Sequence, residues 1–276
     1  MEKFQLSLLF KIIGIGSASG LVYQENKLFI ISDSSTYLYE YHISEEKLNK
    51  IALIGNAQEN IPKKQKPDFE SISQKGNDII IMGSGTTENR NQIFTYDTNS
   101  KKIKEKSFAP FYEKIKSELS IKDDELNIEG LIVTNKTIYF LQRGNGYNSK
   151  NGIIYADDDP ENPKFKFIPF DLPKIKNVET TFTDGILVDN KIYFLATAEA
   201  TLSTYDDGEI LGSIIGRIDL ENMTIDFTEK ITNTKKFEGI TLFSKTASQI
   251  EFLLCEDNDT KILESDIYKL VLYLNQ

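Results

Sequence analysis

Five short phrases in this chain each place an oxygen-bearing side chain ahead of a small residue and a large aliphatic one. They are Ser17-Ala18-Ser19-Gly20-Leu21, Asp68-Phe69-Glu70-Ser71-Ile72, Asn127-Ile128-Glu129-Gly130-Leu131, Phe182-Thr183-Asp184-Gly185-Ile186 and Lys236-Phe237-Glu238-Gly239-Ile240. Their central residues, Ser19, Glu70, Glu129, Asp184 and Glu238, stand 51, 59, 55 and 54 residues apart. Self-similarity at such a period marks a repeat architecture. If the repeats close into a ring, these five oxygens face one another across its axis. Carboxylates gathered that closely repel, and each is held protonated unless a cation or hydrogen-bond donors intervene. Oxygen donors without His or Cys suit a hard cation, Ca²⁺ in the first place and Mg²⁺ in the second, rather than a transition metal.

A second set of polar residues follows the second strand-like run of each repeat and belongs to the same end of such a ring. It comprises Asp33, Ser84, Arg90, Arg143, Glu199 and Glu256. Of 32 basic residues only Arg90, Arg143 and Arg217 are arginine, and two of those three fall here. Arginine is favoured where carboxylate or phosphate is gripped by two parallel bonds. The rival reading pairs both arginines with rim carboxylates such as Asp33 or Glu199. His42 and Cys255 are the single representatives of their types. A Ser-His-Asp triad, a multi-His zinc site and an intramolecular disulfide are therefore not expected. Cys255, within Phe252-Leu253-Leu254-Cys255, reads as a buried inert thiol.

The elements that must position these groups are strands. The second run of each repeat is nearly all apolar, as in Leu28-Phe29-Ile30-Ile31, Ile79-Ile80-Ile81, Ile138-Tyr139-Phe140-Leu141 and Ile192-Tyr193-Phe194-Leu195. Such runs fit strands covered on both faces. Four strands per repeat predict an all-β fold, a single five-bladed β-propeller over residues 1–276 with repeats starting near 17, 68, 127, 182 and 236. The last repeat is one strand short, whereas Phe4–Phe10 is a strand with no repeat of its own. Pairing the two closes the last blade and removes an exposed edge. Two insertions interrupt the pattern. Phe108–Leu119 carries the three- and four-residue apolar steps of an amphipathic helix, read as packing over the rim, and 56–67 is an irregular crossover. The acidic stretch at 205–209 reads either as a hairpin turn or as a loop that reaches over the fourth blade toward the pocket, and the acidic turn at 157–160 as a solvated edge.

A net charge of −10 argues against nucleic acid and anionic membranes as partners. No apolar run reaches the roughly 18 residues of a membrane span. The stretch Phe4–Ser19 superficially resembles a secretory segment, but Lys11 interrupts it and its alternation is strand-like, so the chain is taken as cytoplasmic; it is also expected to be a monomer.

The repeated Glu-Gly-Ile/Leu opening resembles that of uncharacterised bacterial propellers described as phytase-like or esterase-like. The axial series is similar to the ligands of calcium-activated nucleotidases (apyrases), five-bladed propellers that hold a central Ca²⁺ with Ser and Glu. That resemblance implies Ca²⁺ at these positions, with Asp184 standing where the family has serine. The expectation is a small-molecule-binding propeller with a central hard-cation site. The alternative is a Ca²⁺-dependent hydrolase of a phosphate ester or similar anionic small molecule. There Arg90 and Arg143 neutralise charge and Glu70 or Glu129 supplies the base; no residue is otherwise assigned a catalytic role.

Overall fold

Five antiparallel meanders, each starting at one of the repeated phrases, form five four-stranded sheets in the described residues; the fourth sheet gains a two-residue strand, Lys174–Ile175. The structure, a computed structural model, describes residues 3–144, 150–157, 163–200, 208–258 and 262–274. The sheets are the blades of a five-bladed β-propeller, as the repeats predict. The inner strands are Ala18–Gln24, Phe69–Lys75, Ile128–Val133, Val178–Val188 and Lys236–Lys245, which begin blades I to V. The acidic turns expected at 158–160 and 205–207 lie outside the described residues. No described helix is long and apolar enough to cross a membrane.

The second strands show why they lack polar alternation. In blade I, Leu28 and Ile30 pack with Leu21, Leu253 and Cys255 in the layer shared with blade V. Phe29 and Ile31, on the opposite face, pack with Phe69, Ile79 and Ile81 of blade II. Ile192 and Phe194 likewise face blade III while Tyr193 and Leu195 face blade V. Each blade supplies half of two adjoining hydrophobic layers, so both faces of its second strand must be apolar. Burial of that surface is the main favourable term in holding the blades together.

Closure depends on the N-terminal strand, Lys3–Ile13. It pairs antiparallel with Glu264–Tyr273, from Lys3 opposite Tyr273 to Ile13 opposite Glu264, with one slip between Leu8 and Phe10. Blade V is thus built from both ends of the chain. Its inner strand meets that of blade I, where the Tyr23 amide donates to Thr241 Oγ1 at 3.0 Å. The expected helix spans Ala109–Leu119, between blades II and III, and buries Tyr112 and Ile115.

Ile12 of the closing strand is 1% exposed and Leu8 is 54% exposed. Ile12→Ala is therefore expected to lower stability to urea by about 3 kcal/mol, whereas Leu8→Ser should stay within about 0.5 kcal/mol of the parent. A neutral Ile12→Ala would mean that this strand does not seal the ring.

Candidate metal centre

Each inner strand carries a β-bulge that inserts one residue not matched on the second strand. The pairing skips from Ala18 to Gly20, Phe69 to Ser71, Ile128 to Gly130, Phe182 to Asp184 and Phe237 to Gly239. A bulge re-aims the extra side chain. The residues so placed are Ser19, Glu70, Glu129, Thr183 and Glu238. The fourth member differs from the one that the repeated phrase suggests, because Thr183 holds the bulge and Asp184 follows it in register with Leu195. The hydroxyls confirm the equivalence of Ser19 and Thr183. Ser19 Oγ donates to the Phe69 carbonyl at 2.5 Å and Thr183 Oγ1 to the Phe237 carbonyl at 2.7 Å. Each reaches the residue just before the next blade's bulge.

Asp184 occupies the position that is small in the other repeats, where neighbouring inner strands nearly touch. A Cβ on Gly239 would lie 2.6 Å from Leu21 Cδ2 and 2.9 Å from the Gly20 backbone. At this crowded position Asp184 serves as an inter-blade bond. Its Oδ2 accepts the Ile240 amide of blade V at 2.9 Å and its Oδ1 the Gly185 amide at 2.7 Å. Burial nonetheless pushes its carboxyl well above the usual range, with those two amides opposing.

The three axial glutamates differ in their company. Glu129 Oε1 accepts Asn127 Nδ2 at 2.7 Å and lies 3.6 Å from Arg143. Glu238 pairs with Lys236 at 2.7 Å, and Lys236 also reaches Asp257 at 3.4 Å. Glu70, 9% exposed, forms no hydrogen bond or ion pair among the described residues. Its oxygens instead approach Asp33 and Asp68. One carboxylate oxygen from each of the three lies within 4.8 Å of the others, the one such acidic trio among the described residues. The axial acids therefore do not meet as one five-fold set. The cluster is eccentric, between blades I and II, and joins one axial residue to two rim residues.

Cations surround this trio. Lys66, from the crossover at 56–67, bridges Asp33 and Asp68, the latter at 2.8 Å. Arg90 Nη1 donates to Asp68 Oδ2 at 2.7 Å and to Thr86 Oγ1 at 2.8 Å. Ser84 Oγ donates to the same Asp68 oxygen at 2.5 Å. Arg143 donates to Glu199 at 2.7 Å. Glu256 is paired with Lys235 at 2.8 Å, apart from the acidic trio. Both mouth arginines are thus engaged by carboxylates, with Asp68 rather than Asp33 as the partner of Arg90.

Backbone bonds run round this face and hold the groups in place. The Asp68 amide donates to the Asp33 carbonyl, Ser84 to Asp68, Ile128 to Ser84 and Arg143 to Asn127, all between 2.9 and 3.0 Å. The helix braces the same frame, for Tyr112 Oη donates to the Gly83 carbonyl at 2.5 Å and its ring covers Gly85. It is a fixed wall of the mouth.

Electrostatically the mouth is over-acidic. Asp33, Asp68, Glu70, Glu129, Glu199, Glu238 and Asp257 confront Lys66, Arg90, Arg143 and Lys236, which leaves three negative charges in excess if all are ionised. Burial pushes Glu70 well above the usual carboxylate range, reinforced by Glu129, Asp68 and Glu238 and opposed by Lys66. Burial also raises Glu238 against the pull of Lys236, and Asp33 against that of Lys66. For Asp68 the burial penalty is outweighed by Lys66 and Arg90, which hold it below its ordinary value. Lys66 is itself depressed by burial, but Asp68 and Asp33 carry it above the usual lysine range.

Sequence reasoning missed Lys66 as a partner and Asp68 as the centre of the cluster. Asp68 stands in the repeated phrase two residues before Glu70, which was the available signal. A cavity of about 660 Å³ lies further along the inner strands, lined by Leu21, Ile72, Leu131, Ile186 and Ile240 with Tyr23, Lys75 and Asn135 toward its edge. No carboxylate lines it, so the acidic chemistry belongs to the mouth and not to this cavity.

The profile of a family of unknown function, DUF6929, matches residues 14–272. No curated protein matches the chain. Among solved structures it is similar to glutaminyl cyclase of Myxococcus xanthus, at 10% identity and a TM-score of 0.54 over 98% of this chain and 97% of that one. It is similar to a luciferin-regenerating enzyme, at 10% identity and a TM-score of 0.53 over 97% and 95%. Regucalcin of Agrobacterium tumefaciens, a calcium-binding protein, is similar at 8% identity and a TM-score of 0.50 over 98% and 96%. At these identities the likeness shows the propeller fold alone.

The raised carboxyl of Glu70 sets a sign for pH dependence. The folded state binds that proton more tightly than the unfolded state, so the associated stability is present below the ordinary glutamate value and is lost as pH rises through the raised one. In metal-free buffer the thermal midpoint is expected to fall as pH is raised above about 5. Glu70→Gln should reduce that slope and be more stable than the parent at neutral pH. A parent whose midpoint is flat across this range, with Glu70→Gln no more stable, would show that Glu70 is already compensated.

Proposed function

We propose, for a chain that belongs to this family of unknown function, that it is a small-molecule-binding propeller whose mouth is organised by a hard divalent cation, Ca²⁺, at Asp33, Asp68 and Glu70. The observation that carries this is the approach of three carboxylates to within 4.8 Å, with Glu70 buried and unpaired among the described residues. A buried charge without a partner is strongly unfavourable; a proton relieves it at Glu70 alone, whereas a cation relieves all three carboxylates together. The donor set fits the ion: all the ligating atoms are carboxylate oxygens, and no imidazole or thiolate stands among them. The fold likeness to regucalcin, itself a calcium-binding protein, lends support from outside the chain.

Binding is favoured over turnover by the company of the arginines. Arg90 and Arg143, the groups that would have steadied a phosphoryl anion, hold Asp68 and Glu199 instead. His42 lies beside Glu40 and Glu45 on an outer part of blade I and takes no part in the mouth. When bound, the ion would supply a Lewis-acidic point to seat an oxygen of the small molecule. The chain's residues would orient that molecule through Thr86 and the fixed backbone of the rim.

Isothermal titration of metal-stripped protein with Ca²⁺ tests the reading. The expected result is saturable binding, a rise in thermal midpoint with added Ca²⁺ and loss of both in Glu70→Gln. A ligand at about 100 times its dissociation constant stabilises by about 2.7 kcal/mol, well above the detection limit of a thermal scan. Absence of both binding heat and a midpoint shift would refute the ion site. Ca²⁺-dependent turnover of phosphate esters or nucleotides would instead move the protein into the hydrolase class.

A further inference from the structure

We infer that Lys66 is a tethered competitor for this cation site and determines which ions the mouth accepts. The inference deepens the ion-binding reading and rests on it. The Lys66 ammonium is in contact with Asp33 and lies 2.8 Å from Asp68, two of the three carboxylates of the cluster. It therefore holds the oxygens that an incoming ion needs. Its side chain is 14% exposed, so it is an integral part of the mouth and not a surface group leaning over it.

The backbone beneath Lys66 is fixed independently of that contact. The Lys66 amide donates to the Pro62 carbonyl at 3.0 Å, its carbonyl accepts Asn89 Nδ2 at 2.8 Å, and the Ile61 amide donates to the Ser34 carbonyl at 2.9 Å. The ammonium, on its four-carbon stem, can swing out while the crossover stays in place. Lysine suits this role because its compact ammonium is readily rehydrated, whereas a guanidinium fork would be held by two bonds. Arg90, which grips Asp68 from the other side and also reaches the Thr86 hydroxyl and the Lys63 carbonyl, is the fixed cation of the pair.

Charge accounting then gives selectivity. Fully ionised, Asp33, Asp68 and Glu70 carry −3; with Lys66 and Arg90 in place the cluster keeps −1. A divalent ion that displaces Lys66 brings the cluster to neutrality. A monovalent ion that does so leaves −1 as before, so it gains nothing for the displacement. Lys66 sets a threshold that divalent ions pass and Na⁺ does not. It also keeps the cluster partly compensated when no ion is bound, since an acidic trio without it would carry −2 against Arg90 alone.

Calorimetry on the full chain, parent against Lys66→Met, tests this in NaCl and in choline chloride at equal ionic strength. The variant is expected to bind Ca²⁺ tighter by on the order of tenfold, because no tethered charge must leave. Na⁺ should compete with Ca²⁺ in the variant and not in the parent. Equal Ca²⁺ affinities, with Na⁺ inert toward both, overturn the competitor role and leave the ion site standing. Absence of Ca²⁺ binding in both proteins overturns the ion site and this inference with it. A second measurement needs no variant: acetylation of Lys66 in the parent by an N-hydroxysuccinimide ester, followed by mass spectrometry. Ca²⁺ is expected to raise the reactivity of Lys66 several-fold while leaving exposed lysines unchanged; a Lys66 whose reactivity does not respond to saturating Ca²⁺ overturns the inference.

Discussion

A bulge in every inner strand adds a residue that has no partner in the sheet, and in a closed ring its side chain is turned toward the crowded mouth. Five such residues in a small, largely water-excluded space impose a constraint that the rest of the mouth must satisfy. Like charges at that position repel strongly because the surroundings screen them poorly. Four of the five blades therefore either avoid charge there or supply a counter-group. Ser19 and Thr183 avoid it and turn their hydroxyls to the next blade's backbone. Glu129 and Glu238 are matched by Asn127 with Arg143 and by Lys236. Glu70 is the member left over.

Fold and site are coupled through this arrangement. The same strands that bring the acids together are held by hydrophobic layers between blades and by the N-terminal strand that completes blade V. A rigid frame is what permits an unpaired buried carboxylate to persist, since a softer mouth would open to water and lose the strain. Stability held in the inter-blade layers thus offsets local electrostatic cost at the mouth, a common relation between scaffold and site.

The architecture was legible because its signals are local or periodic. Strand runs, a repeat near 55 residues and a last blade short by one strand all stand in the linear order of residues. Two features of the site were not legible. Asp184-Gly185-Ile186 imitates the acid-small-aliphatic phrase, yet Thr183 takes the bulge; only the pairing of Phe182 with Ala196 and Asp184 with Leu195 distinguishes them. The placement of Lys66 depends on the path of an irregular crossover, and nothing in its composition says which carboxylates its ammonium will meet. The arginines were legible as pairing groups, and Glu199 as one partner, but Asp68 rather than Asp33 took the other.

One pattern, readable in the sequence, explains why the cluster is off the axis. Two residues before the bulge the five repeats carry Ser17, Asp68, Asn127, Thr181 and Lys236. Set beside Ser19, Glu70, Glu129, Thr183 and Glu238, these make hydroxyl with hydroxyl in blades I and IV, amide with acid in blade III and ammonium with acid in blade V. Blade II alone sets acid beside acid. In blades III and V the pairing is direct, at 2.7 Å in each case, so those glutamates are compensated within their own strand. Asp68 and Glu70 cannot compensate each other, and the balance has to come from outside the strand. Lys66 and Arg90 supply part of it from two separate loops, and both are directed to Asp68. The deficit that remains is at Glu70. A five-fold scaffold has in this way become a one-sided site, because a single repeat departs from the internal charge pairing that neutralises its neighbours.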